Sequence, residues 1–174
     1  ELVERAENEN KLLSEIMIEQ EMGMSERTRE EIFTQMERNL EVMDQAIERG
    51  LKGVTSVTGL TGGDAVLMQK YIQSGKGLSG DFLLDAVSKA VATNEVNAAM
   101  GMICATPTAG SAGVVPGVLF AVKNKLNPTH EQMVRFLFTA GAFGFVVANN
   151  ASISGAAGGC QAEVGSAAAM AAAS

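Results

Sequence analysis

The sequence predicts an all-α fold, and three observations favour it. Apolar residues recur every three or four positions, glycines and capping residues separate these stretches, and no strand-like alternation of useful length competes with them. The chain has 174 residues, of which 47% are hydrophobic and 19% charged. Because this composition is too apolar for a disordered tail, we expect one multi-helix domain with a packed core over residues 1–174.

Residues 1–50 predict a pair of acidic helices, since this segment holds 14 acidic and 6 basic side chains. The first helix has an apolar stripe from Leu2 to Gln20, and Gly23 is expected to end it, with Ser25 as the N-cap of the second. Gly50 stands where a C-terminal glycine cap of the second helix is expected. The apolar stripe of that helix comprises Ile32, Phe33, Met36, Leu40, Met43 and Ile47.

Residues 51–174 predict further helices, at 64–73, 81–103, 116–125 and 130–147. Pro116 is expected as a first helical residue, and Thr129 with Gln132 has the spacing of a capping box. A helix of small residues is expected to run to the end of the chain. Because the sequence starts at Glu1 with no signal-peptide pattern and stops without a helix cap, we expect both ends to be internal to a longer protein.

The overall charge, the cysteine spacing and the length of the apolar stretches indicate which partners and which compartment to expect. A net charge of −7, no basic cluster and 5% aromatic residues speak against nucleic acid. Two cysteines without disulfide-framework spacing favour a reducing compartment, the cytoplasm. The most apolar stretch, residues 136–148, is shorter than the roughly 18 to 20 residues that a membrane crossing needs. We therefore expect neither a nucleic-acid nor a membrane partner.

Three loops rich in Gly, Ser, Thr and Asn lead into helices, at residues 53–64, 105–113 and 149–159. Glycines allow close backbone approach, and free N–H groups at a helix start suit a carboxylate or phosphate. Tight helix–helix turns are the plainer interpretation of each loop. No Walker or dinucleotide pattern is present. If the loops form a substrate site, its candidate residues are Thr61, Gly62, Thr108, Ala109, Gly110, Ser111, Asn150, Ser152 and Ser154.

Cys104 and Cys160 each lie in a span without charged residues, at 96–122 and 136–162 respectively. By residue type alone each is first a small core side chain, and their separation fits no zinc motif. His130, the only histidine, sits at a predicted helix start, and nothing resembles a Ser-His-Asp or Cys-His set. Any catalysis would therefore depend on a metal centre or on a partner.

Four runs of sequence stand out: GLTGGD at 59–64, EVNAAMG at 95–101, CATPTAGSAG at 104–113 and NNASISGAAGGCQAEVG at 149–165. Together these runs closely resemble the alpha subunit of iron-sulfur-dependent L-serine dehydratase. The resemblance covers essentially the whole chain, and its later half is highly specific. It implies a helical subunit that carries a [4Fe-4S] cluster and converts L-serine to pyruvate and ammonia, a lyase reaction without pyridoxal phosphate.

The resemblance also implies roles for particular residues. Cys160 and Cys104 are the expected cluster ligands, with the glycine-hydroxyl loops converging on the cluster and holding serine. Some relatives place their first cysteine where this chain has Ala112, and a further family cysteine lies in a segment beyond Ser174. A beta subunit, separate or fused, is the expected partner and a candidate source of the general base, in a homo- or hetero-oligomer. We therefore expect this chain alone to be inactive.

Two alternatives remain open at the level of sequence. The chain could be a non-catalytic helical module for oligomerisation or regulation, with its cysteines in the core. It could also belong to an iron-sulfur dehydratase acting on a hydroxy acid. A brown colour would distinguish the first alternative, and ammonia release from L-serine would distinguish the second.

Overall fold

A computed structural model describes residues 2–174, and this part of the chain is helical with no strand, which confirms the all-α prediction. The eight helices of the described residues are α1 (Leu2–Glu9), α2 (Leu13–Ser25), α3 (Arg29–Lys52), α4 (Asp64–Gln73), α5 (Asp81–Ala98), α6 (Val114–Leu126), α7 (His130–Asn150) and α8 (Gly155–Ala172). Glu1, the first residue of the predicted acidic segment, lies outside the described residues.

The long helix α3 organises the packing, because it contacts α2, α4, α5, α6 and α7. Residues 2–50 and 51–174 share one core, since α2 packs on α7 and α3 packs on α5, α6 and α7. Apolar side chains from α2, α3, α6, α7 and α8 form that core: Ile18, Ile32, Leu40, Met43, Ile47, Val115, Leu119, Phe120, Met133, Val134, Leu137, Phe138, Ala140, Met170 and Ala171.

The boundaries predicted for the first helix are wrong. The helix is divided at Asn10, whose positive φ of 49° ends α1, and α2 restarts at Leu13. Gly23 and Ser25 are in the last turn of α2 and are not a stop and a cap. The N-cap of α3 is Thr28, which forms a full capping box with Glu31.

Gly50 does not cap α3, because the helix continues to Lys52 and Gly53 follows it with a φ of 98°. Gly50 is instead buried at the crossing of α3 and α5, where an added Cβ would overlap the Ala92 carbonyl. A glycine at this position allows the two helices to approach each other closely. From the sequence alone, such a glycine cannot be distinguished from one that caps the end of a helix.

The remaining predicted helices are present, with shifts at their ends. The prediction of residues 64–73 and the capping box of Thr129 and Gln132 are confirmed. Helix α5 ends at Ala98 rather than at 103, and Pro116 is the third residue of α6 rather than the first. The predicted loop 149–159 shrinks to residues 151–154, because α7 continues to Asn150 and α8 begins at Gly155.

Helix α7, of 21 residues, is the one described helix with the length and composition of a membrane crossing. The helix is longer than the apolar stretch at residues 136–148 that the sequence analysis considered. A core helix of a globular protein passes the same test, and the inward side chains of α7, such as Met133, Val134 and Leu137, are buried in the shared core. We assign α7 to the core on this packing.

Candidate functional site

The loop before α6 is held in place by close helix packing. Gly113, at the start of α6, lies so near α5 that an added Cβ would overlap the Ala90 carbonyl, and Gly117 packs on Ala86 in the same way. Within the loop the Thr106–Pro107 peptide is cis, and Asn97 of α5 donates its amide N–H to the Ala109 carbonyl at 3.0 Å. The loop therefore packs against α5 through Gly113 and through the Asn97 side chain.

Hydroxyl groups of this loop meet a carboxylate from α8. Thr108 Oγ1 donates to Glu163 Oε1 at 2.8 Å, and the Ser111 hydroxyl lies 3.1 Å from Thr108 Oγ1. Ser111 is buried and donates to the Thr106 carbonyl at 3.1 Å. These contacts join two of the predicted site residues, Thr108 and Ser111, to a carboxylate 55 positions after Thr108 in the sequence.

Two glycines make room for the Glu163 carboxylate. An added Cβ on Gly110 would lie 2.8 Å from Glu163 Oε2, and one on Gly155 would lie 2.5 Å from the same oxygen. Glu163 is partly buried, and within residues 2–174 no lysine, arginine or histidine forms an ion pair with it. The loop predicted as an anion seat thus lies beside the negative charge of a residue in α8.

Cys160 lies close to this cluster along α8. Gly159 leaves helical geometry, with a φ of 78°, and Cys160 follows it as an exposed free thiol. Because residues three apart lie on neighbouring positions of a helix surface, Cys160 is about one turn before Glu163 on the same side. The cysteine, the carboxylate and the hydroxyl loop therefore occupy one region of the surface.

Cys104 has a different environment. It is half-buried against the core, where it lines a cavity of about 170 Å³ with side chains of α3 and α7. Its thiol donates to the Asn39 carbonyl at 3.5 Å. Burial raises the pKa of the Cys104 thiol, because the low-dielectric surroundings disfavour the thiolate.

Thr61 and Gly62, whose substrate role stays a prediction, directly precede a helix start that binds a carboxylate of the chain itself. The backbone N–H groups of Asp64 and Ala65 at the start of α4 donate to the buried carboxylate of Glu95, at 2.6 and 3.4 Å. The Thr61 backbone pairs with Ser56. A carboxylate of the chain itself thus satisfies the N–H groups that would bind an anion.

Asn150, Ser152 and Ser154 are exposed and surround the start of α8. The Asn150 amide donates back to the Val146 carbonyl at 2.8 Å, and Ser154 Oγ accepts from the Ala156 N–H at 3.2 Å. Ser152 Oγ faces Gly158, at 3.4 Å from the position of an added Cβ. Their substrate role stays a prediction, and in this structure Asn150 and Ser154 stabilise helix ends.

The sequence interpretation did not include Glu163 among the candidate site residues, and it did not identify Glu95 as the internal partner of the start of α4. A signal was present for both: Glu163 is the only charged residue after Arg135, and Glu95 directly precedes the charge-free span 96–122. A lone charge between long neutral stretches that supply the core needs a specific partner or a specific role.

The two cysteines fit an iron-sulfur cluster by donor chemistry, because thiolates are the usual protein ligands of such clusters. The described residues contain no group of three His, Cys, Asp or Glu side chains that could hold a metal ion together. Any cluster on Cys160 or Cys104 would therefore take further ligands from outside residues 2–174.

The fold and this region define a class: an all-α chain in which a loop rich in glycine and hydroxyl residues meets a helix that carries an exposed cysteine just after its kink at Gly159. The sequence profile described as serine dehydratase alpha chain matches residues 8–174. The chain belongs to this family.

Individual relatives agree with the family. A chain described as "Probable L-serine dehydratase, alpha chain" from Bacillus subtilis (strain 168) is 75% identical over 173 residues, covering 99% of this chain and 58% of the relative. An L-serine dehydratase alpha chain from Peptoniphilus asaccharolyticus is 40% identical, covering 91% and 55%, and an L-serine dehydratase from Haemophilus influenzae is 36% identical, covering 93% and 36%. The chain thus spans little more than half of these alpha-chain relatives. No solved structure matches it significantly.

Proposed function

We propose that this chain is the helical part of an L-serine dehydratase alpha subunit, which together with a beta subunit converts L-serine to pyruvate and ammonia. Membership of the serine dehydratase alpha chain family over residues 8–174 carries the proposal. The juxtaposition of Thr108, Ser111 and Glu163 with Cys160 supports it, because it brings the two most specific sequence runs into one region.

The proposed cofactor is a [4Fe-4S] cluster with Cys160 as one ligand and Cys104 as a second. When bound, such a cluster supplies a Lewis acid for the serine hydroxyl, which is a poor leaving group on its own. Exposure of Cys160 supports its role, whereas the core contacts of Cys104 make that ligand the less favoured of the two. Both thiols are free, which supports a reducing cytoplasmic location.

The residues of this chain would bind and orient serine. The loop at 105–113 borders the Glu163 carboxylate at Gly110 and donates to it from Thr108, and the end of the loop at Gly113 packs on α5. Fixed polar groups of this kind align a small substrate without reorganisation during the reaction. A general base near the substrate α-carbon would come from the beta subunit.

The test is an assay of the full-length alpha subunit with its beta subunit, prepared without oxygen. We expect a brown protein with broad visible absorption that releases ammonia and pyruvate from L-serine. A colourless, inactive complex would support the alternative of a non-catalytic helical module. A brown complex that dehydrates a hydroxy acid and releases no ammonia from serine would support the second alternative.

A further inference from the structure

Glu163 is a carboxylate whose hydrogen bonding is incomplete. Thr108 donates to Oε1, and the described residues supply no donor to Oε2, which instead lies beside Gly110 and Gly155. A carboxylate has about four lone-pair sites, so several remain free for a donor that enters beside the two glycines.

The charge of Glu163 is also unpaired within the described chain. The two segments that surround it, residues 96–122 and 136–162, are free of charged side chains, and no cation among residues 2–174 forms an ion pair with it. A partly buried carboxylate is stabilised when a positive group with N–H donors occupies this position.

Backbone donors for a second, negative group lie next to the carboxylate. The N–H groups of Ala109 and Gly110 donate to no acceptor within the described residues, and both residues are exposed. Gly110 also borders Glu163 Oε2. One small area therefore offers a carboxylate to a cation and amide N–H groups to an anion.

We propose that Glu163 binds the α-ammonium group of the substrate, while the Ala109 and Gly110 N–H groups bind its carboxylate. This inference rests on the proposed function and names the residue that selects an amino acid over a hydroxy acid. An α-ammonium supplies three N–H donors and a full positive charge, whereas the hydroxyl of a 2-hydroxy acid supplies one donor and no charge.

The test compares L-serine with glycerate, which replaces the ammonium by a hydroxyl, in the complete alpha and beta enzyme with its cofactor. KM and kcat for serine and the inhibition constant of glycerate are measured for the wild type, Glu163→Gln and the control Glu131→Gln. The amide oxygen of the Glu163→Gln variant can still accept from Thr108, which preserves the local contact. Glu131 is an exposed residue of α7 that pairs with Arg135.

We expect Glu163→Gln to raise the KM of serine by about tenfold or more, since a charge-assisted hydrogen bond is lost, and to leave glycerate binding equal or tighter. The preference for serine over glycerate then falls, with kcat changed less than KM, and Glu131→Gln behaves as wild type. If Glu163→Gln does not fold, Glu163→Asp, which withdraws the charge by one methylene group, must show the same direction of change.

Three results would overturn the inference and leave the proposed function standing. Equal weakening of serine and glycerate would mean that Glu163 only braces the loop. Loss of kcat with unchanged affinities would make it a proton-transfer group instead. A wild-type enzyme that binds glycerate as well as serine would have no ammonium site. A wild-type enzyme without serine turnover would contradict the proposed function itself, and the inference would fall with it.

Discussion

At the scale of single residues, the two cysteines differ in what surrounds them. Cys160 is exposed at the start of the continuous part of α8, whereas Cys104 is half-buried and donates to the Asn39 carbonyl. A cluster ligand must be able to reach the metal, while a core thiol needs only to fill space. These environments favour Cys160 over Cys104 as a ligand of the proposed cluster.

Serine substitutions separate these roles, because serine has nearly the volume of cysteine and is a poor iron ligand. In the full-length subunit we expect Cys160→Ser to lose iron, sulfide and activity while circular dichroism keeps its helical signal. Cys104→Ser should lose iron, sulfide and activity in the same way only if Cys104 is also a ligand. Iron and sulfide analysis after desalting is the measurement, and retention of iron by both variants would contradict iron-sulfur binding in this region.

At the scale of elements, helices α3 and α5 cross in very close contact at Gly50. We expect Gly50→Ala to destabilise the protein by about 3 kcal/mol, because its Cβ would overlap the Ala92 backbone and force the helices apart. Gly23→Ala is the matched control: no atom lies within 4 Å of its added Cβ, and alanine favours a helix by about 0.5 kcal/mol. Urea unfolding measures both, and equal stabilities would contradict this view of the crossing.

The elements also show where sequence reasoning succeeds. The capping box of Thr129 and Gln132 and the start of α4 at Asp64 depend on neighbours in the chain, and both were predictable. The partners of Gly50 and Glu163 were not predictable, because Ala92 and Thr108 are 42 and 55 residues away along the chain. The helices thus follow from local patterns, while the site depends on which loop packs beside which helix.

At the scale of the whole molecule, the described residues supply at most two thiolates to the proposed cluster. The chain has two cysteines, and its residues 2–174 show no group of three metal-binding side chains. We expect residues 1–174 alone to fold as a helical domain, to retain no stable cluster and to leave L-serine unchanged. Iron analysis and an ammonia assay measure this, and stoichiometric iron with serine deamination would contradict both the incomplete ligand set and the need for a beta subunit.

Three helices of the whole molecule meet at Glu15. Its carboxylate in α2 pairs with Arg29 at the start of α3, and Oε2 also accepts from Arg135 of α7 at 3.2 Å. The Arg29 hydrogen bond, followed by that of Arg135, lowers the pKa of Glu15 from 4.5 to about 2. Because the folded protein holds this carboxylate ionised more strongly than the unfolded chain does, the pair stabilises the fold above pH 4.5 and loses that effect as the pH falls toward 2.

We therefore expect wild-type residues 1–174 to be more stable than Glu15→Gln at pH 7, and the difference to vanish between about pH 4.5 and 2. The difference at pH 7 should be about 1 kcal/mol, since Arg29 is 44% exposed and solvent screens the pair. Urea unfolding across this pH range measures it, with Glu131→Gln as a control that removes an exposed partner of Arg135. A difference that stays constant with pH would show that Glu15 acts through packing, because only a titrating carboxylate changes its contribution in this window.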